Sequence, residues 1–311
     1  MCRIRRKRQL GRSGRLFLGL GLLCWALLGP VASAADKIQI SILLGDLPTK
    51  AALEAVQEVY QEYPRLKKRL AFHVYPNLQP QNRPADLGRL KDSRLVFLMI
   101  MGRELVEATK SELREVIRKG GLVYCVVGGS YNEEDKALGI RSEPRLQEYF
   151  AEGGKENIKN GLLWALKRDL GLPVTCQPVA KVPEQGIYER RGKKVYPDFA
   201  AFQKAYPAHR PGAPWIGIIF YKSNLVNGQT KPLEALIQSL EEAGFNVLPA
   251  YGPIGHDLRK FFLEESATGG SSGAEASGLP SPGRSRVRVI VALGLKIGIV
   301  PAQLAPPNCK S

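Results

Sequence analysis

Histidine is nearly absent from this chain, with three residues in 311: His73, His209 and His256. A metal centre draws several ligands together at defined spacing, and three scattered imidazoles do not supply that pattern; any metal is therefore unknown from sequence. Cysteine is scarce too, with five residues, none at metal-ligand spacing. Cys2 and Cys24 fall in the first 34 residues, and Cys125, Cys176 and Cys309 remain. Cys125 sits in an apolar run and reads as a core residue, while a Cys125–Cys176 disulfide is left open by the spacing. No apolar run is long enough for a membrane-spanning helix. There is no Ser/His/Asp arrangement, no catalytic pair of carboxylates, no nucleophilic cysteine and no internal repeat. Acidic residues are also in deficit, 29 against 45 Lys and Arg. With no nucleic-acid-binding module in view, that excess points to an acidic small molecule or an anionic surface rather than to DNA or RNA.

The basic excess is unevenly spread. Arg3, Arg5, Arg6, Lys7, Arg8, Arg12 and Arg15 open the chain with no acid among the first 34 residues. Leu16 to Leu28 is apolar, Gly29-Pro30 breaks it, and Ala32-Ser33-Ala34 offers small residues to a signal peptidase. Basic head, short apolar body and small-residue exit are the parts of a secretory signal, with cleavage after Ala34 and a periplasmic or otherwise exported product. The membrane then enters only through export, the other reading being an uncleaved anchor. The remainder carries 38 basic and 29 acidic residues, a net charge of +9.

From residue 35 to 172 strand and helix signals alternate. Ile38, Ile40 and Ile42 alternate with polar residues, and Thr49 is placed to cap a helix carrying Leu53, Val56 and Tyr60. Leu70, Phe72 and Val74 form a second strand pattern. Leu95 to Met101 and Leu122 to Val127 are continuous apolar runs of the kind buried on both faces. Between them Glu104 to Lys119 reads as a helix with Leu105, Leu113, Val116 and Ile117 inward, and Glu156 to Leu170 as another. Strands separated by helices predict an α/β fold with parallel sheets of the Rossmann or flavodoxin type. Residues 173–214, rich in proline and charge, read as a crossing with short strands at most. A second, incomplete α/β unit is expected over 215–264: a strand Trp215 to Phe220, a polar loop Tyr221 to Thr230, and a helix opened by Pro232 with Leu233, Leu236, Ile237 and Leu240 in one stripe. Gly244 ends that helix, the strand Phe245 to Leu248 follows, and a short helix is expected over His256 to Glu264. Residues 265–285, mostly Gly, Ser, Ala and Pro, have the composition of disorder. Residues 286–311 make a partial strand unit and tail.

The run Trp215 to Pro249 resembles the signature near the front of the large subunit of cobaltochelatases and magnesium chelatases. The residues that carry the likeness are Phe220, Tyr221, Ser223, Gly228, Thr230, Pro232, Glu234, Ala235, Leu236, Gly244, Leu248 and Pro249. Lys222 stands where the pattern has Arg, and Gln229 where it has Asn or Asp. Upstream, Pro183-Glu184-Gln185-Gly186-Ile187-Tyr188 resembles the family's Pro-x-x-Gly-Ile-Tyr, with Glu189-Arg190 in place of the usual His-Pro. The likeness covers the N-terminal portion of the family only. It implies involvement in inserting Co²⁺ or Mg²⁺ into a tetrapyrrole, as in cobalamin biosynthesis, with ATP hydrolysed by partner subunits. It also implies a tetrapyrrole ligand and chelatase ATPase subunits as partners. No cofactor is expected on this chain, and no catalytic residue is assigned. An exported, truncated member of the family is the expectation, the alternatives being a stand-alone tetrapyrrole-binding protein of the periplasm and a non-functional remnant.

Tyr221, Lys222, Ser223, Asn224, Asn227, Gly228 and Thr230 follow a strand of a parallel sheet, where ligands bind and the next helix N-terminus favours anions. Lys222 can pair with a carboxylate and Tyr221 can stack on a ring; the same loop also serves as a plain junction between domains. Gly128-Gly129-Ser130, after a buried strand, lets a ligand approach closely or simply turns the chain. His256-Asp257 reads as a helix cap with a neighbouring base. The leader gives the first test. N-terminal sequencing of the exported protein should begin at Ala35-Asp36, and a membrane-bound product that keeps Met1 would make the segment an anchor.

Overall fold

A computed structural model describes residues 37–44, 46–76, 87–100, 103–129, 131–252, 258–264 and 284–293. The expected leader, Ser130, His256-Asp257, Cys309 and the stretch from 265 to 283 lie outside the described residues. The elements described below belong to one unit that begins at Ile38.

The first layer set is built as the alternation predicts. It runs β1 (Ile38–Leu44), α1 (Asp46–Glu62), α2 (Leu66–Arg69), β2 (Leu70–Pro76), a 3-10 turn (Leu87–Asp92), β3 (Ser93–Ile100), α3 (Glu104–Arg118), β4 (Leu122–Gly128), α4 (Glu133–Leu138), β5 (Arg141–Ser142), α5 (Pro144–Glu152) and α6 (Gly154–Leu170). The strand order is β2-β1-β3-β4-β5, all parallel. This is the flavodoxin-like order, in which the chain reverses direction across the sheet beside β1.

Both faces of this sheet are dry, and successive strand residues divide between them. Ile40, Ile42, Leu95, Phe97, Tyr124 and Val126 pack under α1, α5 and α6. Leu43, Val96, Leu98, Val123 and Cys125 pack against the opposite layer, which contains Val106, Leu113 and Val116 of α3. Two buried hydroxyls, Ser41 and Ser93, satisfy each other at 2.7 Å between β1 and β3. Helix α3 buries Val106 and Thr109 with Leu113 and Val116, whereas the expected Leu105 and Ile117 are only partly covered. Helix α1 starts at Asp46, so Thr49 lies in its first turn rather than at its cap; Pro48 is tolerated there because first-turn N–H groups have no intrahelical acceptor. Gly171, at φ +61°, closes α6 in the left-handed conformation expected of a helix-terminal glycine.

The second set comprises β6 (Gly186–Glu189), β7 (Lys194–Tyr196), α7 (Phe199–Ala205), β8 (Trp215–Tyr221), α8 (Lys222–Val226), α9 (Lys231–Glu242), β9 (Asn246–Gly252), α10 (Arg259–Phe262) and β10 (Val287–Ala292). Its order is β10-β8-β9-β6-β7. Strands β10, β8 and β9 are parallel, and the β6–β7 hairpin joins antiparallel to β9. The sheet is therefore mixed rather than wholly parallel, because the stretch read as a crossing, 173–214, supplies β6, β7 and α7. Proline and charge concealed strands of only four and three residues, too short to show a period. Helix α9 buries Leu233 and Ile237 on one face with Phe220, Val247 and Tyr251. The other face is closed by Phe202 of α7 and by Phe261 and Phe262 of α10, which is shorter than the helix expected over His256 to Glu264. Of the stretch 265–285 expected to be disordered, Arg284 and Ser285 are described: the Arg284 carbonyl accepts from the Glu264 amide at 2.8 Å, and Ser285 bridges Leu263.

Cys125 and Cys176 pack on opposite faces of the first sheet, so the disulfide left open by spacing is not formed and both are free thiols. Burial, with Asp135 nearby, pushes the Cys125 thiol up to about 11, which suppresses the reactive thiolate. Peptide mapping after alkylation of the native protein should find Cys176 labelled and Cys125 labelled only after denaturation. Equal labelling of both under native conditions would mean the α3 layer opens.

Candidate functional site at the signature loop

Two sequence motifs that lie far apart in the chain meet at the C-terminal end of β8. The upstream one, Pro183 to Tyr188, becomes β6 and its approach. The downstream one becomes the end of β8, α8 and the start of α9. Gly186 has room for no side chain: a Cβ there would stand 2.6 Å from Val195 Cγ1 and 3.0 Å from the Tyr196 carbonyl oxygen. The glycine therefore lets β6 lie between β9 and β7. Tyr188 then reaches Glu234, its hydroxyl donating to Oε1 at 2.7 Å, and the Thr230 hydroxyl donates to the same oxygen at 2.7 Å. Burial would raise the Glu234 carboxyl, but these two donors with Lys193 and Arg190 outweigh it and hold it below its usual value. Tyr188 in turn is pushed upward, by burial first and by the adjacent carboxylate second. Its ring also meets Phe220 edge-on, with centroids 6.2 Å apart.

Half of the polar loop expected over Tyr221 to Thr230 is helical. Tyr221 ends β8, half-buried, and Lys222 begins α8 at once. The Lys222 side chain is only 15% exposed and its ammonium donates to Glu184 at 2.9 Å and to Glu152, at the end of α5, at 3.2 Å. Glu152, 12% exposed, also takes Lys181 at 3.2 Å. Desolvation raises the Glu152 carboxyl, and the two ammonium groups more than reverse this, leaving it below the usual carboxylate range. Lys222 is thus already paired with the chain's own carboxylates, which accounts for the basic residue at this position without an external anion.

The remaining loop residues continue the joint. Asn227, buried, donates to the Ser223 carbonyl at 2.9 Å and accepts from the Gly154 amide at 3.4 Å. At Gly154, φ +78°, a Cβ would lie 2.8 Å from the Val226 carbonyl oxygen, so a glycine is required where α6 meets α8. The Gly228 carbonyl, at φ +66°, accepts from Lys50 of α1 at 3.3 Å. Asn224 accepts the Gln229 amide through its backbone at 2.8 Å. Sequence reasoning missed Glu152, Lys181 and the Gly153-Gly154 pair, whose only signal was two adjacent glycines between helical patterns.

The other sequence candidates do not join this site. His73 hydrogen bonds Gln39 at 2.7 Å across β1 and β2, and His209 stacks on Trp215 at the far end of β8. Gly128 ends β4 and Gly129 turns the chain. Among the described residues no group of three or more His, Cys, Asp or Glu is arranged to hold a metal ion.

Residues 147–293 match the family model described as CobN/Magnesium Chelatase. This stretch, a little under half of the chain, is thus similar to the CobN/magnesium chelatase family. Over 110 residues the chain is 32% identical to the aerobic cobaltochelatase subunit CobN of a Sinorhizobium species, covering 34% of this chain and 8% of that protein. It is 25% identical over 134 residues to the H-type magnesium-chelatase subunit of Chlorobaculum parvum, covering 42% and 10%. With the chloroplastic magnesium-chelatase subunit ChlH of Oryza sativa subsp. indica it shares 22% identity over 237 residues, covering 70% and 16%. A solved structure, the catalytic subunit of cobaltochelatase from Mycobacterium tuberculosis, superposes with a TM-score of 0.43 at 20% identity, over 72% of this chain and 17% of that one. The chain thus spans between 8% and 16% of the length of these curated relatives.

The segment matched by the family model takes in Glu152, Lys181, Glu184, Tyr188 and the whole loop from Tyr221 to Thr230. What the segment assembles is a charged joint, and its strength is measurable. Glu152→Gln should destabilise the protein by about 2–4 kcal/mol at neutral pH, since it leaves Lys222 and Lys181 short of a carboxylate in a half-dry setting. Because the folded carboxyl lies below its unfolded value, the wild-type advantage is present at neutral pH and fades as pH falls through the folded value. Urea unfolding of both proteins at neutral pH and near pH 3 checks this. A difference that stays constant with pH would show that the loss is packing and not charge.

Proposed function

We propose that this chain handles an anionic tetrapyrrole within a chelatase system and does not by itself insert the metal. The observation that carries the reading is that the family match falls on the two motifs the fold brings together. The relatives named above are subunits of a cobaltochelatase and of magnesium chelatases, in which Co²⁺ or Mg²⁺ is a substrate and the ring is the acceptor. In this reading ATP is hydrolysed by partner subunits, and the present chain contributes ring recognition or a docking surface for those subunits.

Metal insertion needs a site that holds the ring, presents ligands to the ion and accepts the pyrrole protons. Ring recognition asks for less: an apolar surface and a few fixed polar groups. At the signature loop the ring-facing residue is Tyr221, half-buried at the end of β8, by stacking. Lys222, Ser223, Asn227, Gly228 and Thr230 hold the loop in place beneath it, with Lys222 acting through Glu152 and Glu184 rather than through a ligand carboxylate. Export by the first 34 residues belongs to the same proposal and would place this handling outside the cytosol.

Absorbance titration with a corrinoid and with a porphyrin tests the reading. At least one should shift its spectrum on binding, and Tyr221→Ala should bind it about fivefold more weakly, the size of a lost aromatic contact. No metal-loaded ring should form from the chain alone with Co²⁺ or Mg²⁺ and ATP. Failure of every ring to shift would leave the loop as a joint only, and metal-loaded product would overturn the assignment of insertion to other subunits.

A further inference from the structure

At the opposite end of β8, some seven residues or about 20 Å from Tyr221, the surface carries a cleft of about 400 Å³. Its polar lining is Arg190, Arg191, Arg210, His209, Glu241 and Glu242. We propose that this cleft binds a small multivalent oxyanion, one bearing several phosphate or carboxylate oxygens.

Three buried polar side chains use their hydrogen-bonding capacity to position the segments that carry the arginines. Glu241, 7% exposed, accepts Arg190 through Nη2 at 2.7 Å and Nε at 3.2 Å, and accepts the Tyr206 hydroxyl at 2.8 Å. Glu189, also buried, accepts the backbone amides of Arg191 at 2.8 Å and Gly192 at 2.6 Å, which fixes the β6–β7 turn. Asn246, 1% exposed, accepts the Arg210 amide at 2.8 Å and donates to the carbonyls of Arg210 at 2.8 Å and Ala213 at 3.1 Å. His209 is held flat against Trp215, with ring centroids 5.7 Å apart. Arg190 is thus tied into the floor of the cleft, and the guanidinium groups of Arg191 and Arg210 remain for a ligand. Arg210 forms no ion pair among the described residues. Among the described residues the one ion pair of Arg191 is Glu241 at 3.6 Å, on an oxygen already taken by Arg190.

The charge balance favours an anion. Arg190 neutralises Glu241, and the Glu242 carboxylate, which accepts from Gln238 at 2.8 Å, is outnumbered by Arg191 and Arg210, so the lining carries three guanidinium groups against two carboxylates. Each guanidinium presents several donors in a fixed fork that suits phosphate and carboxylate. The volume lies in the range of small-molecule sites, large enough for a diphosphate or a tricarboxylate. This proposal stands apart from the tetrapyrrole reading, since it uses neither the signature loop nor Tyr221.

The test uses the full chain at low ionic strength, with inorganic pyrophosphate and citrate titrated separately and followed by amide NMR shifts and calorimetry. Saturable shifts are expected at Arg191, His209 and Arg210. Arg191→Ala and Arg210→Ala, both at exposed positions, should each weaken binding about tenfold, as loss of a charge-assisted hydrogen bond does. Arg118→Ala, on α3, should leave the affinity unchanged. A preference for pyrophosphate marks a phosphoryl ligand and a preference for citrate a polycarboxylate. The proposal is overturned if neither probe gives saturable shifts, or if the two cleft variants bind as tightly as the wild-type chain.

Discussion

The ammonium of Lys222 sits between Glu152 and Glu184 with little access to water, and the form of the signature region depends on it. A charge in that position is tolerated only when carboxylates surround it. Glu152 ends a helix that packs on the first sheet, and Glu184 leads into a strand of the second. Lys222 therefore ties together three segments that the chain order separates widely. The glycines at 153 and 154 complete the arrangement, since a side chain at Gly154 would strike the Val226 carbonyl and push α8 away.

This gives the family motif a physical reading. In Pro183 to Tyr188, the proline carbonyl accepts from Tyr251, the acid pairs with Lys222, the glycine lets strands close up and the tyrosine holds Glu234. In the downstream run, Lys222, Asn227 and Thr230 are each turned toward a partner within the protein. Most of the motif is therefore scaffold. Tyr221 stands at the strand end, half-buried.

The second sheet also separates two kinds of charge. At the C-terminal end of β8, basic and acidic groups are matched and partly buried. At its N-terminal end, buried Glu241, Glu189 and Asn246 position arginines that remain in solvent. The first arrangement fixes structure, and the second leaves donor capacity at the surface.

Local pattern determined much of this fold. Alternation in Ile38, Ile40 and Ile42, the apolar runs at 95 and 122, and the stripe through Leu233 and Ile237 were legible because strand and helix periods are properties of a short window. The α/β class and the likeness of Trp215 to Pro249 to the chelatase signature were legible for the same reason. The tertiary structure alone decided the rest. β6 is a strand because β9 offers it an edge, β7 because β6 does, and their few residues carry no period of their own. Cys125 and Cys176 cannot pair because the first sheet lies between them. Lys222 appeared free for a ligand because its sequence neighbours are neutral, and its carboxylates arrive from residues 38 and 70 positions away. Pairing of charges depends on distance in space, and a sequence window does not contain that distance.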